Sequence, residues 1–557
     1  MATATVRGSV RECISVRRGT ECWIISIAME LTGLSFLGSR RGGQDGAAFQ
    51  AINPQSGESL APKYHSASHT EVNEAAELAA EAFAGYSLTN GKQRAAFLRR
   101  VADGFDAHRD ALAERAHLET GLPVSPRLLG EAARTAGQFR LFADLIEEGS
   151  WVQARIDPAM PDRKPQPRAD IRSMLRPLGP VAVFGASNFP LAFSVGGGDT
   201  ASALAAGCPV VVKAHPAHPG TSEMAAQIIS HAVAESGLHP GVFSVLFDAG
   251  IEVGAALVKH PRIQAVGFTG SLKAGRALMD IAAARPHPIP CFTEMSSGNP
   301  VFVLPGAFRQ GAAKLAANLF GSVTLGCGQM CTKPGILLLP DAPDAAALTE
   351  ELRALVEQSQ AFTMLTPGIA REYGRAAKAR AGQVTLVAEA PHREDAQQRE
   401  PHVHAHAKLF STDIEQLLAD PKLADEIFGP DTLLVTCAST QDYLRAAHAL
   451  DGHLTATILG TEDDLEANRE LVQVLEQKAG RLIFNGVPTG VEVCHSMIHG
   501  GPYPSTSDSR FTSVGSLAIF RWARPVCFQN FPQALLPEEL QDANPLGIAR
   551  LWDGKAK

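Results

Sequence analysis

The chain has 557 residues, of which 45% are hydrophobic and 19% charged, with a formal net charge of −8. This length exceeds one compact core, so two or more domains are expected. The acidic balance argues against nucleic-acid binding, and the absence of a run of about 18 uncharged apolar residues argues against a membrane-spanning helix. The nine cysteines lack paired spacing, which indicates free thiols in a reducing compartment, the cytoplasm.

The first 28 residues fit no folded element. They mix arginines with a short apolar patch that Glu12 and Glu21 interrupt. We interpret residues 1–28 as a poorly ordered extension or as the result of a start assigned too early, with Met29 as the true start. A targeting peptide is the alternative.

Residues 70–150 are alanine-rich with helical spacing, and we predict three helical stretches there. Thr70 is the expected cap of the first, and Gly121 ends the second. The following segment, residues 151–172, is rich in proline and arginine, which indicates an extended hairpin outside the main core.

From Gly179 onward, short β-branched runs alternate with helical segments. The predicted strands are VAVFGA, PVVVKA, GVFSVLF and IQAVGF. Strand–helix alternation with short turns requires a parallel sheet with right-handed crossovers. The fold class is therefore α/β, with a doubly wound sheet of the dinucleotide-binding type.

A second α/β region follows, and the segment VGSLAIFRWARPVCFQNF near the end alternates like an exposed strand. An unpaired edge strand promotes aggregation, so we expect it to pair with another subunit in a homodimer or homotetramer. We predict a dinucleotide-binding domain, a catalytic domain, an oligomerisation hairpin with its edge strand, and a tail, at residues 29–150 with 173–290, 291–504, 151–172 with 505–532, and 533–557, respectively.

His402, His404 and His406 would share one face of a strand. No carboxylate or cysteine nearby completes a tetrahedral set, so we interpret them as an exposed strand face and predict no metal site.

Cys331 is the first candidate catalytic residue. It lies in GSVTLGCGQMCTKPG, where a tight glycine turn can leave a thiol accessible, and backbone N–H groups or a cation can favour its thiolate. The alternative is a buried structural cysteine, and Cys327 in the same loop is the competing thiol.

Two further residues could assist a nucleophilic thiol. Glu294 follows an apolar run, where a carboxylate with a raised pKa can act as a general base; the alternative is a surface glutamate. Asn188 lies just past a buried strand, where ligands bind in open α/β sheets. Its amide could stabilise a transient oxyanion, or it could be a turn asparagine.

The segments SNFP, VVVKA, FTGS, TEMSSGNP, GQMCT and EIFGP, in this order, resemble the aldehyde dehydrogenase superfamily. The resemblance covers about Met29 to about Pro532. It implies that Cys331 is the nucleophile, that Asn188 and the Cys331 N–H form the oxyanion hole, and that Glu294 activates the water that hydrolyses the thioester.

The same resemblance implies an NAD(P) site without a G-x-G-x-x-G fingerprint, so the run at residues 196–198 is not one. Its expected contacts are Lys213 with a cofactor ribose, Gly270 and Ser271 with the pyrophosphate, Glu426 with the nicotinamide ribose, and Phe428 beside the ring.

One departure bears on the cofactor. Pro216 stands where NAD-preferring relatives often place a glutamate, which would repel a 2′-phosphate. We therefore expect NADP to be used at least as well as NAD.

The segments FNGVPTGVEVCHSMIHGGPYPSTSDSR and RPVCFQNFP are similar to those of the subgroup that oxidises 2-oxoglutarate semialdehyde (2,5-dioxopentanoate). The alternative is the subgroup of NADP-dependent dehydrogenases acting on aliphatic, fatty or other semialdehyde substrates. The oxo-acid substrate carries a carboxylate, and we expect Arg134 to anchor it, with Gln138 one helical turn away on the same face and Phe193 shaping the tunnel wall. The alternative for Arg134 is a solvent-facing side chain.

Overall fold

The computed structural model describes residues 29–391 and 403–557; the predicted extension at residues 1–28 lies outside this part of the chain. The first part contains short strands, four helices and a hairpin: β1 (Phe36–Leu37), β2 (Arg40–Arg41), β3 (Ala48–Ile52), β4 (Ser59–His65), α1 (His69–Tyr86), α2 (Gly91–Ala107), α3 (Arg109–Thr120), α4 (Leu129–Glu148), β5 (Arg155–Asp157) and β6 (Ile171–Pro177).

The helical prediction is confirmed with two corrections. Thr70 lies inside α1, and the cap is Ser68, which forms a reciprocal capping box with Glu71. The predicted second stretch is two helices, because the backbone leaves helical geometry at His108 before α3 begins. Helix α3 ends at Gly121, as predicted, where φ is 69°.

The next part alternates strictly between strand and helix: β7 (Val181–Phe184), α5 (Gly198–Ala206), β8 (Val210–Lys213), α6 (Pro219–Glu235), β9 (Phe243–Leu246), α7 (Glu252–Lys259), β10 (Ala265–Thr269), α8 (Leu272–Ala283) and β11 (Cys291–Glu294). The sheet has the order β11-β10-β7-β8-β9-β1-β2. Its five longer strands are parallel, and four of them, β7 to β10, are those predicted; β1 joins antiparallel to β9. The chain order reverses between β7 and β10, so a ligand crevice is expected beyond the carboxyl ends of these strands.

Strand β11 extends this first sheet past the predicted boundary at residue 290. Glu294 pairs in register with Thr269 at the end of β10. The carboxylate that sequence analysis assigned to the catalytic domain therefore lies on the first sheet.

The next part of the chain contains the elements β12 (Val301–Val303), α9 (Ala312–Thr324), β13 (Ile336–Pro340), α10 (Pro343–Gln358), β14 (Phe362–Thr363), α11 (Pro367–Ala381), β15 (Thr385–Glu389), β16 (His404–Ala405), β17 (Lys408–Asp413), α12 (Ile414–Ala419), β18 (Asp431–Cys437), α13 (Thr440–Ala449), β19 (His453–Leu459), α14 (Glu462–Ala467), α15 (Arg469–Glu476) and β20 (Ala479–Phe484). Strands β14 and β16 form a separate two-stranded sheet, and the other strands form the second large sheet. Its order is β15-β17-β18-β13-β12-β19-β20, with only β15 antiparallel. The predicted histidine strand is broken, since β16 ends at Ala405; His402 lies outside the described residues.

A small third sheet contains the last strands, β21 (Ala523–Gln529), β22 (Leu551–Trp552) and β23 (Lys555–Ala556). Its order is β21-β6-β5-β22-β23, so the predicted hairpin and the predicted tail strand lie side by side. The strand is shorter than the alternation indicated, because Ser516–Trp522 forms 3₁₀ turns that bury Trp522. Among the described residues, no helix combines the length and apolar character needed to cross a membrane.

Candidate active site

Cys331 follows a tight turn that leads from α9 to β13. Residues 326–328 all take left-handed φ values, of 59°, 61° and 64°. A Cβ on Gly328 would lie 2.2 Å from the carbonyl oxygen of Gly429, so this position requires glycine. The turn thus places the Cys331 loop in backbone contact with the segment at residues 426–429.

The two cysteines of the loop have different surroundings. Cys327 is 6% exposed and packs in the core of the second sheet, and burial raises its pKa well above the usual thiol value. Cys331 instead borders a cavity of about 230 Å³. Of these two thiols, only Cys331 faces a space that a substrate can enter.

Cys331, Glu294 and His499 form a cluster around the Cys331 sulfur. His499 Nε2 lies 3.5 Å from Cys331 Sγ and 2.8 Å from Glu294 Oε1. Ser513 Oγ donates to Glu294 Oε2 at 2.6 Å. The sulfur, the imidazole nitrogen and the carboxylate oxygen all lie within 4.8 Å of one another, so a proton can pass between them over a short distance.

The electrostatics of the cluster correct two expectations, a raised pKa for Glu294 and a favoured thiolate at Cys331. Burial alone would raise the pKa of Glu294, but the neighbouring His499 and hydrogen bonds from His499, Ser513 and Cys331 outweigh it, so the pKa is lowered and the predicted rise is wrong. Burial and the negative charge of Glu294 raise the pKa of Cys331 well above its usual value. The resting pair is therefore a thiol beside a carboxylate, and the thiolate must form by proton transfer within the cluster.

A second, water-sized space adjoins the other side of Glu294. It measures about 20 Å³, and its lining includes Glu294, His499 and Ser513. A volume of roughly 10–15 Å³ is enough to hold one water molecule. The polar lining supplies the partners that such a molecule needs.

Asn188 lies on the turn after β7 and reaches the nucleophile loop. Its Nδ2 donates to the carbonyl oxygen of Gln329 at 2.9 Å, two residues before Cys331. Helix α4 and the turn before it hold the Asn188 turn: Glu131 Oε1 accepts from the N–H groups of residues 191 and 192, both at 2.9 Å, and Arg127 Nη2 donates to the Asn188 carbonyl at 3.0 Å. The amide expected at the oxyanion position is therefore hydrogen-bonded to the loop that carries Cys331.

The larger cavity is bordered by Arg134, Phe189 and Phe193 as well as Cys331. The guanidinium of Arg134 lies over both rings, 5.8 and 5.2 Å from their centroids. Its Nε and Nη2 are buried and have no hydrogen-bond partner. Buried cationic donors without partners favour an anionic ligand.

Gln138 does not share this environment. It is 2% exposed, and its Nε2 donates to the carbonyl oxygen of Ala192 at 3.2 Å. It is not among the described residues that line the cavity. The expected substrate contact is wrong, because one helical turn beyond Arg134 the side chain points into the protein beneath the 191–198 turn.

The expected cofactor contacts lie at the carboxyl edge of the first sheet. Lys213 ends β8, and its Nζ donates to the carbonyl oxygen of Asp248 at 2.8 Å. Burial lowers the pKa of Lys213 to about 8. Pro216 follows in the adjoining turn. Ser271 caps α8, with its Oγ accepting from Ala274 N at 3.3 Å, and Gly270 immediately precedes it.

Glu426 and the half-buried Phe428 approach from the second sheet. Burial raises the pKa of Glu426 to about 7, although the nearby Lys333 lowers it in part. Lys333 also holds the segment in place, donating from Nζ to the carbonyl oxygen of Ile427 at 2.9 Å and to Asp431 Oδ1 at 2.6 Å. The nucleophile loop and the Glu426 segment are thus joined by a buried ion pair.

This donor and acceptor set fits a dinucleotide. An ammonium group and a helix start suit a ribose and a pyrophosphate, and a carboxylate with a pKa near neutrality can accept ribose hydroxyls. Lys213 and Ser271 lie at the carboxyl ends of β8 and β10, beside the point where the strand order reverses.

Sequence reasoning missed His499, Ser513 and Glu131. The first two lie in the loops between β20 and β21, and only the assembled fold brings them to Glu294. The sole sequence signal for His499 is its place in the segment CHSMIHGGPYP, which carried part of the resemblance. Glu131 lies on the same helix as Arg134 and could have been singled out by its spacing.

Comparison with known proteins agrees with this geometry. The sequence profile of the aldehyde dehydrogenase family matches residues 41–514. The chain belongs to the aldehyde dehydrogenase family, and it is therefore an oxidoreductase that acts on aldehydes with NAD(P)+.

Two curated relatives cover nearly the whole chain. It is 49% identical to alpha-ketoglutaric semialdehyde dehydrogenase 2 of Azospirillum brasilense over 530 residues, 95% of this chain and 100% of that protein. It is 45% identical to alpha-ketoglutaric semialdehyde dehydrogenase of Acinetobacter baylyi, over 94% of this chain and 99% of that protein. The fold is similar to that of aldehyde dehydrogenase C from Pseudomonas syringae, solved with NAD+ and octanal, with a TM-score of 0.75, 22% identity, and coverage of 90% of this chain and 98% of that one.

Proposed function

We propose that the enzyme oxidises 2-oxoglutarate semialdehyde to 2-oxoglutarate, with Cys331 as the nucleophile. Alpha-ketoglutaric semialdehyde, which names both curated relatives, is the same compound. The observation that carries the proposal is a cavity with a reactive thiol at one side and an unpaired buried guanidinium, that of Arg134, in its wall. The aldehyde would meet the sulfur while the carboxylate meets the arginine.

In the first chemical step, the Cys331 thiol gives its proton to Glu294 and the sulfur bonds to the aldehyde carbon. The carbonyl oxygen becomes an oxyanion, which Asn188 Nδ2 and the Cys331 N–H stabilise. His499 and Ser513 hold the Glu294 carboxylate in line with the sulfur. Because Glu294 is ionised at rest, it can accept this proton without a prior step.

A nicotinamide dinucleotide, which Lys213, Ser271 and Glu426 would hold, would supply the acceptor for the hydride of the former aldehyde carbon. The carbon is then a thioester of Cys331. Glu294 first releases to solvent the proton that it took from the thiol. It then takes a proton from a water molecule, whose oxygen bonds to the thioester carbon. The carbon–sulfur bond breaks, Glu294 returns this proton to the Cys331 sulfur, and the acid product loses its own proton to solvent. The small space beside Glu294 supports this role, since it can supply the water from the side away from the substrate.

The division of labour follows the two sheets. We propose that residues 29–150 and 173–290 form the cofactor-binding unit and that residues 291–504 supply the nucleophile. Glu294 arrives at the end of the first sheet and Cys331 before β13 of the second. Catalysis would then require that the two sheets keep a fixed position relative to each other.

The substrate is tested by kcat/KM for 2-oxoglutarate semialdehyde, succinate semialdehyde and a long-chain neutral aldehyde. We expect the first to exceed the long-chain aldehyde at least about tenfold, because the neutral chain leaves Arg134 unpaired. The cavity volume, about 230 Å³, is below the roughly 300–1,000 Å³ of sites for drug-sized ligands. A kcat/KM that favours the long-chain aldehyde would instead support the fatty-aldehyde alternative.

We propose further that NADP+ is used at least as well as NAD+. Pro216 provides no carboxylate to repel a 2′-phosphate, and the Lys213 ammonium is close by in sequence. Calorimetric titration with each dinucleotide tests this, and a markedly tighter Kd for NAD+ would contradict it.

Assembly and location follow from two other features. β20 and β21 end their sheets with no further strand among the described residues, so we propose that these edges pair between subunits of a homodimer or homotetramer. Sedimentation analysis of the full chain distinguishes these assemblies from a monomer. All seven described cysteines are free thiols, which supports a cytoplasmic setting.

A further inference from the structure

The cavity beside Cys331 carries an unusual set of fixed charges. Among the described residues that line it, the arginine and carboxylate side chains are those of Arg127, Glu131 and Arg134. Two cations and one anion leave a net charge of +1. The question is which cation remains available to a ligand.

Arg127 is already engaged. Its Nη1 forms an ion pair with Glu131 Oε2, a residue only 3% exposed. Its Nη2 donates to the Asn188 carbonyl at 3.0 Å, and its guanidinium carbon lies 4.3 Å from the centre of the Phe189 ring. Arg127 is therefore neutralised and fixed in place.

Arg134 is different, because its Nε and Nη2 are buried without a hydrogen-bond partner. Glu131 lies one turn away, but both of its oxygens already accept bonds, from Arg127 and from the backbone of residues 191 and 192. Glu492, the other carboxylate near Arg134, is exposed and accepts from Val493 N. Of the two arginines in this lining, Arg134 is thus the one left for a ligand.

We infer that Glu131 sets the charge selectivity of the cavity, restricting it to ligands with a single carboxylate. The inference rests on the proposed function and deepens it. The substrate is a monoanion, whereas its oxidation product carries a second carboxylate at the Cys331 end. A cavity with one uncompensated cation holds the first and disfavours the second, so Glu131 promotes product release without touching the reacting atoms.

The test compares pentanoate with glutarate, which have the same carbon chain and carry one and two carboxylates. Their Kd values are measured on the full-length enzyme by calorimetry and by protection of Cys331 from a neutral alkylating agent. In Glu131→Gln, the amide oxygen can still accept from the backbone of residues 191 and 192, but Arg127 loses its counter-charge. We expect the Kd of glutarate relative to that of pentanoate to fall about tenfold, and product inhibition by 2-oxoglutarate to tighten by a similar factor.

Two further variants separate charge from structure. Glu131→Gln combined with Arg127→Gln restores the net charge of +1 and should return the Kd ratio to its original value, which a purely structural role would not do. Glu492→Gln removes an exposed carboxylate near Arg134 and should leave the ratio unchanged, because solvent screens an exposed charge.

The outcomes separate the two proposals. If pentanoate binding depends on Arg134 but the Kd ratio does not change in Glu131→Gln, the charge-selectivity inference is wrong and the proposed function stands. If pentanoate binds equally well to Arg134→Ala, the proposed anchor itself is wrong. Should Glu131→Gln fail to fold, Arg127→Gln tests the inference in the opposite sense. In this variant the Glu131 carboxylate has no counter-charge, so pentanoate binding should weaken about tenfold, and unchanged binding would overturn the inference.

Discussion

The two sides of the crevice use charge in different ways. On the substrate side, Cys331, Glu294 and His499 are in mutual contact, and burial and neighbouring charges hold the thiol protonated and the carboxylate ionised. On the cofactor side, Lys213 and Glu426 have pKa values of about 8 and about 7. The comparison indicates that the chemistry starts from one defined protonation state, a thiol beside a carboxylate, while the cofactor would be held by groups that titrate near neutral pH.

The largest expected effect is at Cys331, where the substrate side would lose its nucleophile. Cys331→Ala should lower kcat by at least about 10⁴-fold, because no other group at the cavity can form the thioester. Steady-state formation of reduced nicotinamide measures this. Cys527→Ser, at an exposed thiol, serves as the control and should retain full activity.

Glu294 comes next. Glu294→Gln should lower kcat by about 10²–10⁴-fold, since it removes the proton acceptor for both the thiol and the water. Stopped-flow absorbance can separate the hydride step from hydrolysis, and both should slow. A full-rate burst followed by slow turnover would restrict Glu294 to hydrolysis and would contradict its role towards the thiol.

His499 sharpens the comparison, because it is proposed to act through Glu294. His499→Ala should lower kcat by about 10–100-fold. Its charge and hydrogen bond help to lower the pKa of Glu294, so their loss should move the acid limb of the kcat profile to higher pH. A fall in kcat with an unmoved acid limb would show that His499 does not tune this carboxylate.

Arg134 tests whether the substrate side recognises charge. Arg134→Ala should raise KM for the oxo-acid aldehyde by about 10–100-fold, the range expected for a charge-assisted hydrogen bond. KM for a neutral aldehyde of similar length should change far less. Equal effects on both substrates would remove the assignment.

The smallest effect concerns the cofactor side. Glu426 becomes ionised as pH rises through about 7, which strengthens acceptance of ribose hydroxyls, and Lys213 loses its charge as pH rises through about 8. Dinucleotide binding should therefore be tightest between these values and weaken several-fold on either side. A calorimetric Kd that is flat from pH 6 to pH 9 would contradict the comparison.

The sequence predicted much of the fold because the strands of the first sheet are short apolar runs bounded by turns. It also singled out Asn188, which lies just past such a strand, whereas Lys213 and Ser271 came from the resemblance to a known family. The resemblance to a known family supplied the roles of Cys331 and Glu294. The family and the α/β fold are confirmed, while the roles of the site residues stay predictions.

Other features could not be read from local pattern. His499 reaches Glu294 across a separation of 205 residues, and no periodicity encodes such a contact. The lowered pKa of Glu294 depends on that contact, so an isolated reading of the carboxylate gave the wrong sign. Gln138 was misplaced because helical spacing indicates a shared face but not what that face packs against.

The close approach of Gly328 to Gly429 has a consequence for engineering. With no room for a side chain between these two backbones, the cysteine loop and the EIFGP segment at residues 426–430 cannot be redesigned independently. Substitutions in the EIFGP segment that aim to change the cofactor preference would shift the Cys331 sulfur as well. Substitutions around Pro216, on the first sheet, should leave the sulfur in place.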